Sequence, residues 1–145
     1  METYFGKLQE NFLSDEINEA VMRNTIRNIP EVIKNPKDLT PRSELMWDSA
    51  MAENGILKSG KLTDFQAHMI EHQLGGYTNC NHGEGLAVIQ PVMYKHIYKE
   101  AVTKFARIAT EVWNISSEGK SDEELVLEGI KALENDTTIF TNFVR

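Results

Sequence analysis

The sequence predicts an all-α fold, a helical bundle with short loops, and three observations carry that prediction. Apolar residues recur at intervals of three and four along most of the chain, capping residues and glycines punctuate those stretches, and no alternating β-branched segment competes with them. A length of 145 residues is that of one domain, so residues 1–145 read as a single all-helical domain with enough chain for a core.

Ser14-Asp15 offers an N-terminal cap, and Ile17, Val21, Met22, Ile26 and Ile29 then make one apolar stripe on an otherwise polar helix. Pro30 is expected to end or kink it, because proline lacks the N–H and its ring crowds the preceding turn. Glu31 to Asn35 reads as a further short turn and Pro36 to Pro41 as a connector. Thr40-Pro41 has the form of a cap followed by proline at the first helical position, opening a helix through Leu45, Met46, Ala50 and Met51 to Gly55. Thr63-Asp64 starts the helix bearing His68 and His72, and Gly75-Gly76 is expected to stop it. A helix from Gly85 runs past Pro91 to Tyr98, and the next carries Val102, Phe105, Ile108, Ala109 and Val112. Ser121-Asp-Glu-Glu124 is a capping-box pattern for a last helix through Leu125, Ile130 and Leu133. Trp47, Trp113 and the methionines sit at helical spacing and are assigned to the core. Glu10, Asp15, Glu16 and Glu19 read as a solvated acidic face, and His96 as ordinary surface.

The formal charge of −7 and the lack of a basic run argue against a nucleic-acid partner, since phosphate binding rests on clustered Lys and Arg. One cysteine, Cys80, makes no intramolecular disulfide and points to a reducing compartment. There is no signal-peptide pattern and no apolar run approaching the roughly 20 residues of a membrane helix. A cytoplasmic protein with no membrane association is the expectation.

Three of the four histidines, His68, His72 and His82, fall within fifteen residues. On a helix, residues four apart share a face at about 5–6 Å, so His68 and His72 can converge on one ion or on an ion and its substrate. His82, past the Gly75-Gly76 pair, can fold back to the same point. Imidazoles suit both Fe(II) and zinc. The same stretch spells His68-Met-Ile-Glu71-His72, the H-x-x-E-H of the inverzincin metallopeptidases, in which Glu71 would be the general base. Gly83-Glu-Gly85 is no dinucleotide loop, lacking the preceding strand and the third glycine; these glycines are expected to let the chain pass close to a metal and start a helix.

The segment from Asp64 through His68-Met-Ile-Glu-His72, Gly75-Gly76 and His82-Gly-Glu-Gly85 to Pro91 resembles the signature of the iron-dependent alcohol dehydrogenases, especially the butanol dehydrogenase branch. Glu31-Val-Ile-Lys-Asn-Pro36, Arg42-Ser-Glu-Leu-Met-Trp47, Ala52-Glu-Asn-Gly55, Lys104-Phe-Ala and Val112-Trp113-Asn-Ile115 extend the resemblance, in order, over residues 2 to 134. The resemblance implies the first part of an all-helical metal-holding domain, which in the family follows a nucleotide-binding domain. It further implies His68 and His82 as ligands of Fe(II) or Zn(II), and His72 as the catalytic residue facing substrate and nicotinamide. Glu71 becomes merely a polar helix residue. NAD(P) and a small alcohol or aldehyde belong to the complete enzyme. The family's other two ligands, an Asp and a His four residues later, would precede Met1, and from Glu134 to Arg145 the pattern is lost. The isolated chain is therefore expected to be inactive. The alternatives are a standalone helical remnant and, behind it, the H-x-x-E-H peptidase. Self-association into a homo-oligomer is expected through apolar surface that further helices would cover, with Ile139, Phe140, Phe143 and Val144 available to cover part of it.

Overall fold

The computed structural model describes residues 1–6 and 12–144, and the side chains of all of these except 140 and 142–144. Among them lie six α-helices and no strand: α1 (Phe12–Lys34), α2 (Leu39–Glu53), α3 (Gln66–Thr78), α4 (His82–Ile97), α5 (Val102–Trp113) and α6 (Asp122–Val144). Short 3-10 turns occupy Glu2–Phe5, Ile56–Lys58 and Tyr98–Glu100. The all-α expectation holds. No helix of the described residues is long and apolar enough to cross a membrane. The chain divides into two compact units, Met1–Asp64 and Phe65–Arg145.

In the first unit α1 packs on α2, and the turn at Ile56–Lys58 packs on both. The apolar stripe of α1 is only half-buried, and polar groups do much of the joining. Buried Asp48 of α2 accepts hydrogen bonds from Asn24 Nδ2 at 3.0 Å and Thr25 Oγ1 at 2.8 Å. Buried Asn18 donates to the carbonyls of Ser14 (2.8 Å) and Leu57 (3.2 Å), the second tying α1 to the 3-10 turn.

These contacts correct two expectations. Ser14 and Asp15 lie inside the first described turns of α1, both buried: the Ser14 hydroxyl reaches the Leu57 carbonyl at 3.4 Å and Asp15 pairs with Lys61. Nor is the acidic set a solvated face, since Asp15 is held by Lys61 and buried Glu19 accepts from the Tyr4 hydroxyl at 2.8 Å. A buried carboxylate costs free energy unless it is paired or hydrogen-bonded, and both are. Glu16 is exposed as expected; Glu10 lies outside the described residues.

Proline positions also differ. Of the two outcomes expected of Pro30, an end to the helix is overturned, because it sits inside α1, which continues to Lys34; the ring removes one N–H, and the last turn still closes through Asn35 N–H to Glu31 O at 3.0 Å. Helix α2 begins earlier than Thr40-Pro41 because Asp38 is the cap, its carboxylate accepting from Thr40 N–H at 3.0 Å. Trp47 is not core but 67 % exposed, and Met46 and Met69 are exposed too.

The second unit has the apolar core. Phe105, Ala106, Ile108, Ala109 and Val112 of α5 bury against Leu125, Val126 and Ile130 of α6, and α6 also packs on α4, which buries Met93 and Tyr94. Each full-sized apolar side chain withdrawn from water this way contributes about 1.5–3 kcal/mol. The α5 stripe and the capping box are as expected: Ser121 N–H donates to Glu124 Oε2 at 2.8 Å, and Glu124 N–H to Ser121 Oγ at 3.3 Å. Trp113 is half-buried, its indole N–H donating to Asp136 Oδ2 at 2.8 Å. His96 is exposed and Ile139 is exposed, while the side chains of Phe140, Phe143 and Val144 lie outside the described residues.

Helix α3, which packs on α4, does not stop at Gly75-Gly76. It runs to Thr78 and ends at Asn79, whose left-handed backbone (φ 56°, ψ 29°) lets its N–H reach Gly75 O at 2.8 Å. Helix α4 then starts at His82, three residues before the expected Gly85, because Asn81 caps it by accepting from Gly83 N–H at 2.9 Å. Pro91 lies within α4.

Candidate metal centre

The three histidines come from the first half of α3 and the first residue of α4. His68 and His72 stand one turn apart on α3, their ring centroids 6.3 Å apart and the rings nearly perpendicular. Phe65, just before the helix, sets its ring edge-to-face against His68 at 5.2 Å. The reversal at Asn79 and the Asn81 cap make His82 the first residue of α4 and return it to the same place. Its ring lies 5.4 Å from that of His68 and 5.5 Å from that of His72. The expected convergence of the three imidazoles is therefore present in the fold. His68 is half-buried, whereas His72 and His82 are exposed, so the cluster has access to solvent.

Sequence reasoning missed Glu71. It is only 2 % exposed, and its Oε2 is hydrogen-bonded to His82 Nδ1. A carboxylate accepts, so Nδ1 is the donor, which in a neutral ring leaves the lone pair on Nε2. Periodicity placed Glu71 beside His72 on a polar stretch of helix, and nothing local marks it as buried. The signal lay in the glycines, since a Cβ on Gly85 would come within 2.7 Å of Glu71 Cγ and Oε1, and one on Gly75 within 3.0 Å of Oε1.

Among the described residues, Glu71, His72 and His82 each offer a ligand atom within 4.8 Å of one another. His68 stands beside this group. Ring centroids place His68 and His72 alike with respect to His82, while the ligand-atom group takes in His72 and not His68; imidazole donors of this kind fit a divalent cation such as Fe(II) or Zn(II). Peptidase chemistry would need Glu71 turned toward a substrate water. It is buried and engaged with His82 instead.

A histidine cluster drawn from two successive helices of an all-helical chain describes a class, and comparison with known proteins makes it specific. The profile of the Fe-containing alcohol dehydrogenase family, C-terminal, matches residues 1–143. The chain belongs to that family. The match runs through the tail beyond Glu134, where the resemblance was expected to be lost, and α6 likewise continues through that point. NADH-dependent butanol dehydrogenase B of Clostridium acetobutylicum is 36% identical over 118 residues, covering 81% of this chain and 30% of that protein. Its butanol dehydrogenase A is 33% identical over 131 residues, covering 90% and 33%. Among solved structures, the NADH-dependent butanol dehydrogenase A of Thermotoga maritima superposes with a TM-score of 0.88 at 32% identity, over 94% of this chain and 34% of that one. The aldehyde reductase YqhD of Escherichia coli gives 0.88 at 28% identity, over 94% and 36%. The chain thus spans about a third of the length of the relatives it matches.

Proposed function

We propose that this chain forms the metal-binding helical region of an NAD(P)-dependent alcohol/aldehyde oxidoreductase of the butanol dehydrogenase type. The observation that carries the proposal is the convergence of His68, His72 and His82 from α3 and the first turn of α4, in a chain of the Fe-containing alcohol dehydrogenase family. His68 and His82 would hold Fe(II) or Zn(II). His72, exposed on the same face of α3 as His68, would orient the substrate oxygen and nicotinamide and hold a proton at its imidazole. A divalent cation bound there supplies Lewis acidity toward a hydroxyl or carbonyl oxygen, which an alcohol needs because it is too weak an acid at neutral pH. Helix α4, whose first residue is His82, packs on both α3 and α6.

The substrate would be a small alcohol or aldehyde, and the nucleotide would be bound by parts of the complete enzyme, because this sequence contains no phosphate-cradling glycine fingerprint after a strand. The 145-residue chain by itself is expected to show no turnover of butanol or butanal with NAD(H) or NADP(H). The test is calorimetric titration of zinc, or of Fe(II) under anaerobic conditions, into the wild type, His68→Ala and His82→Ala. Weak binding that disappears in both variants supports the proposal. Equal affinity for all three proteins removes the metal site.

A further inference from the structure

The Glu71 side chain is among the largest fully buried ones in the chain, yet it is ionisable and lies one residue from His72. Burial of such a group is unfavourable without a partner, and its partner here is His82 Nδ1. The fold makes room for it on both sides. Gly75, one turn along α3, and Gly85, one turn into α4, are the positions where any Cβ would press on the Glu71 carboxyl end, at 3.0 and 2.7 Å. Gly85 is itself buried, and a helix interior otherwise disfavours glycine by about 1 kcal/mol relative to alanine. A slot lined by two helical glycines is thus kept open around one carboxylate.

His82 is in the opposite situation. Its side chain is 53 % exposed, at the first position of α4, where little packing restrains an imidazole. We propose that Glu71, seated in the Gly75–Gly85 slot, is a positioning residue that fixes the ring orientation and Nδ1–H tautomer of His82, so that Nε2 is the nitrogen offered to a divalent cation. The inference deepens the proposed metal-binding function and rests on it for the cation. Carboxylate–histidine pairs of this kind set ligand orientation and raise ligand basicity, and their loss typically costs about 10–100-fold in metal affinity. Glu71 acts through His82 and is not itself a ligand.

The test uses the 145-residue chain with Glu71→Gln, Glu71→Leu, Gly85→Ala and His82→Ala, each checked for helicity by circular dichroism. Long-range ¹H–¹⁵N spectra of the metal-free proteins report the His82 tautomer, and competition with a chromophoric chelator reports zinc affinity. In the wild type and Glu71→Gln, whose amide oxygen still accepts from Nδ1–H, the Nδ1–H form should dominate. In Glu71→Leu and Gly85→Ala the tautomers should mix and zinc affinity should fall by about 10–100-fold. Gly85→Ala retains the carboxylate while displacing it, so the comparison survives even if Glu71→Leu does not fold. Persistence of a pure Nδ1–H tautomer in Gly85→Ala and Glu71→Leu overturns the proposal. So does a loss in Glu71→Gln as large as in His82→Ala with the tautomer unchanged, which would make Glu71 a direct ligand. If His82→Ala leaves zinc affinity intact, the metal-binding function fails, while the tautomer spectra still decide the Glu71–His82 relation.

Discussion

Replacing Gly129 with alanine tests the packing that supports the second unit, because two effects of opposite sign meet there. In the middle of α6, glycine to alanine should stabilise by about 1 kcal/mol through helix propensity alone. A Cβ at this position, however, would lie 2.9 Å from the Ala109 Cβ and 3.4 Å from its Cα, at the buried contact of α6 with α5. Ordinary carbon contacts are about 3.5–4.0 Å, so the helices must part by roughly 0.6–1.1 Å. Ala109 has no torsion by which its Cβ can swing aside. Overpacking of this kind costs about 1–3 kcal/mol, which exceeds the propensity gain and leaves a net loss of about 1 kcal/mol. For a chain of this size that lowers Tm by about 2–4 °C. The assay is thermal and urea unfolding of Gly129→Ala, Ala109→Gly and the double variant. The intrinsic propensity terms of the two sites cancel in the cycle, so a favourable coupling of about 1 kcal/mol or more in the double variant would isolate the contact. A single variant Gly129→Ala with raised Tm and no coupling to Ala109 would refute the reasoning.

Three further outcomes are expected. Asp48→Ala strips Asn24 and Thr25 of their shared acceptor at the α1–α2 contact, and should cost about 1–3 kcal/mol in urea unfolding, with Asp48→Asn less damaging. Glu124 has its pKa lowered by the Ser121 backbone N–H and hydroxyl; a folded pKa below the unfolded one adds stability above the unfolded value, lost as pH falls through the folded value. Melting temperatures measured from pH 6 downward should therefore drop less steeply in Glu124→Gln than in the wild type. The α2 face carrying Leu39, Met46 and Trp47 is exposed, and sedimentation equilibrium should show self-association of the chain that Trp47→Glu weakens.

Local chemistry made much of this structure legible. The α5 stripe spans one face at helical spacing and needs only its own residues to be read, and the Ser121–Glu124 box closes within a single turn. The three histidines were found by spacing because the helix repeat brings His68 and His72 together. Failures occurred where a distant residue decides the outcome. Asp15 and Glu19 look solvated until Lys61 and Tyr4 reach them. The Gly75-Gly76 pair has the composition of a helix stop, yet Asn79 takes the left-handed position and the glycines stay helical, Gly75 to make room for Glu71. Glu71 itself was invisible because its burial depends on Gly85, fourteen residues away, lacking a Cβ.

The connector between α3 and α4 is Asn79, Cys80 and Asn81 alone, with its first residue committed to a left-handed turn and its last to a cap. Such a linker has no slack, so it acts as a ruler for the site. An added residue would reset where His82 begins its helix relative to His68. The segment Asn114–Ser121 between α5 and α6 is under no such demand from the histidines. Scanning insertions through the chain should therefore leave the helices intact at both places but disperse the imidazoles only at the first. Any engineering or natural drift that lengthens this protein is free to act at one junction and closed out at the other.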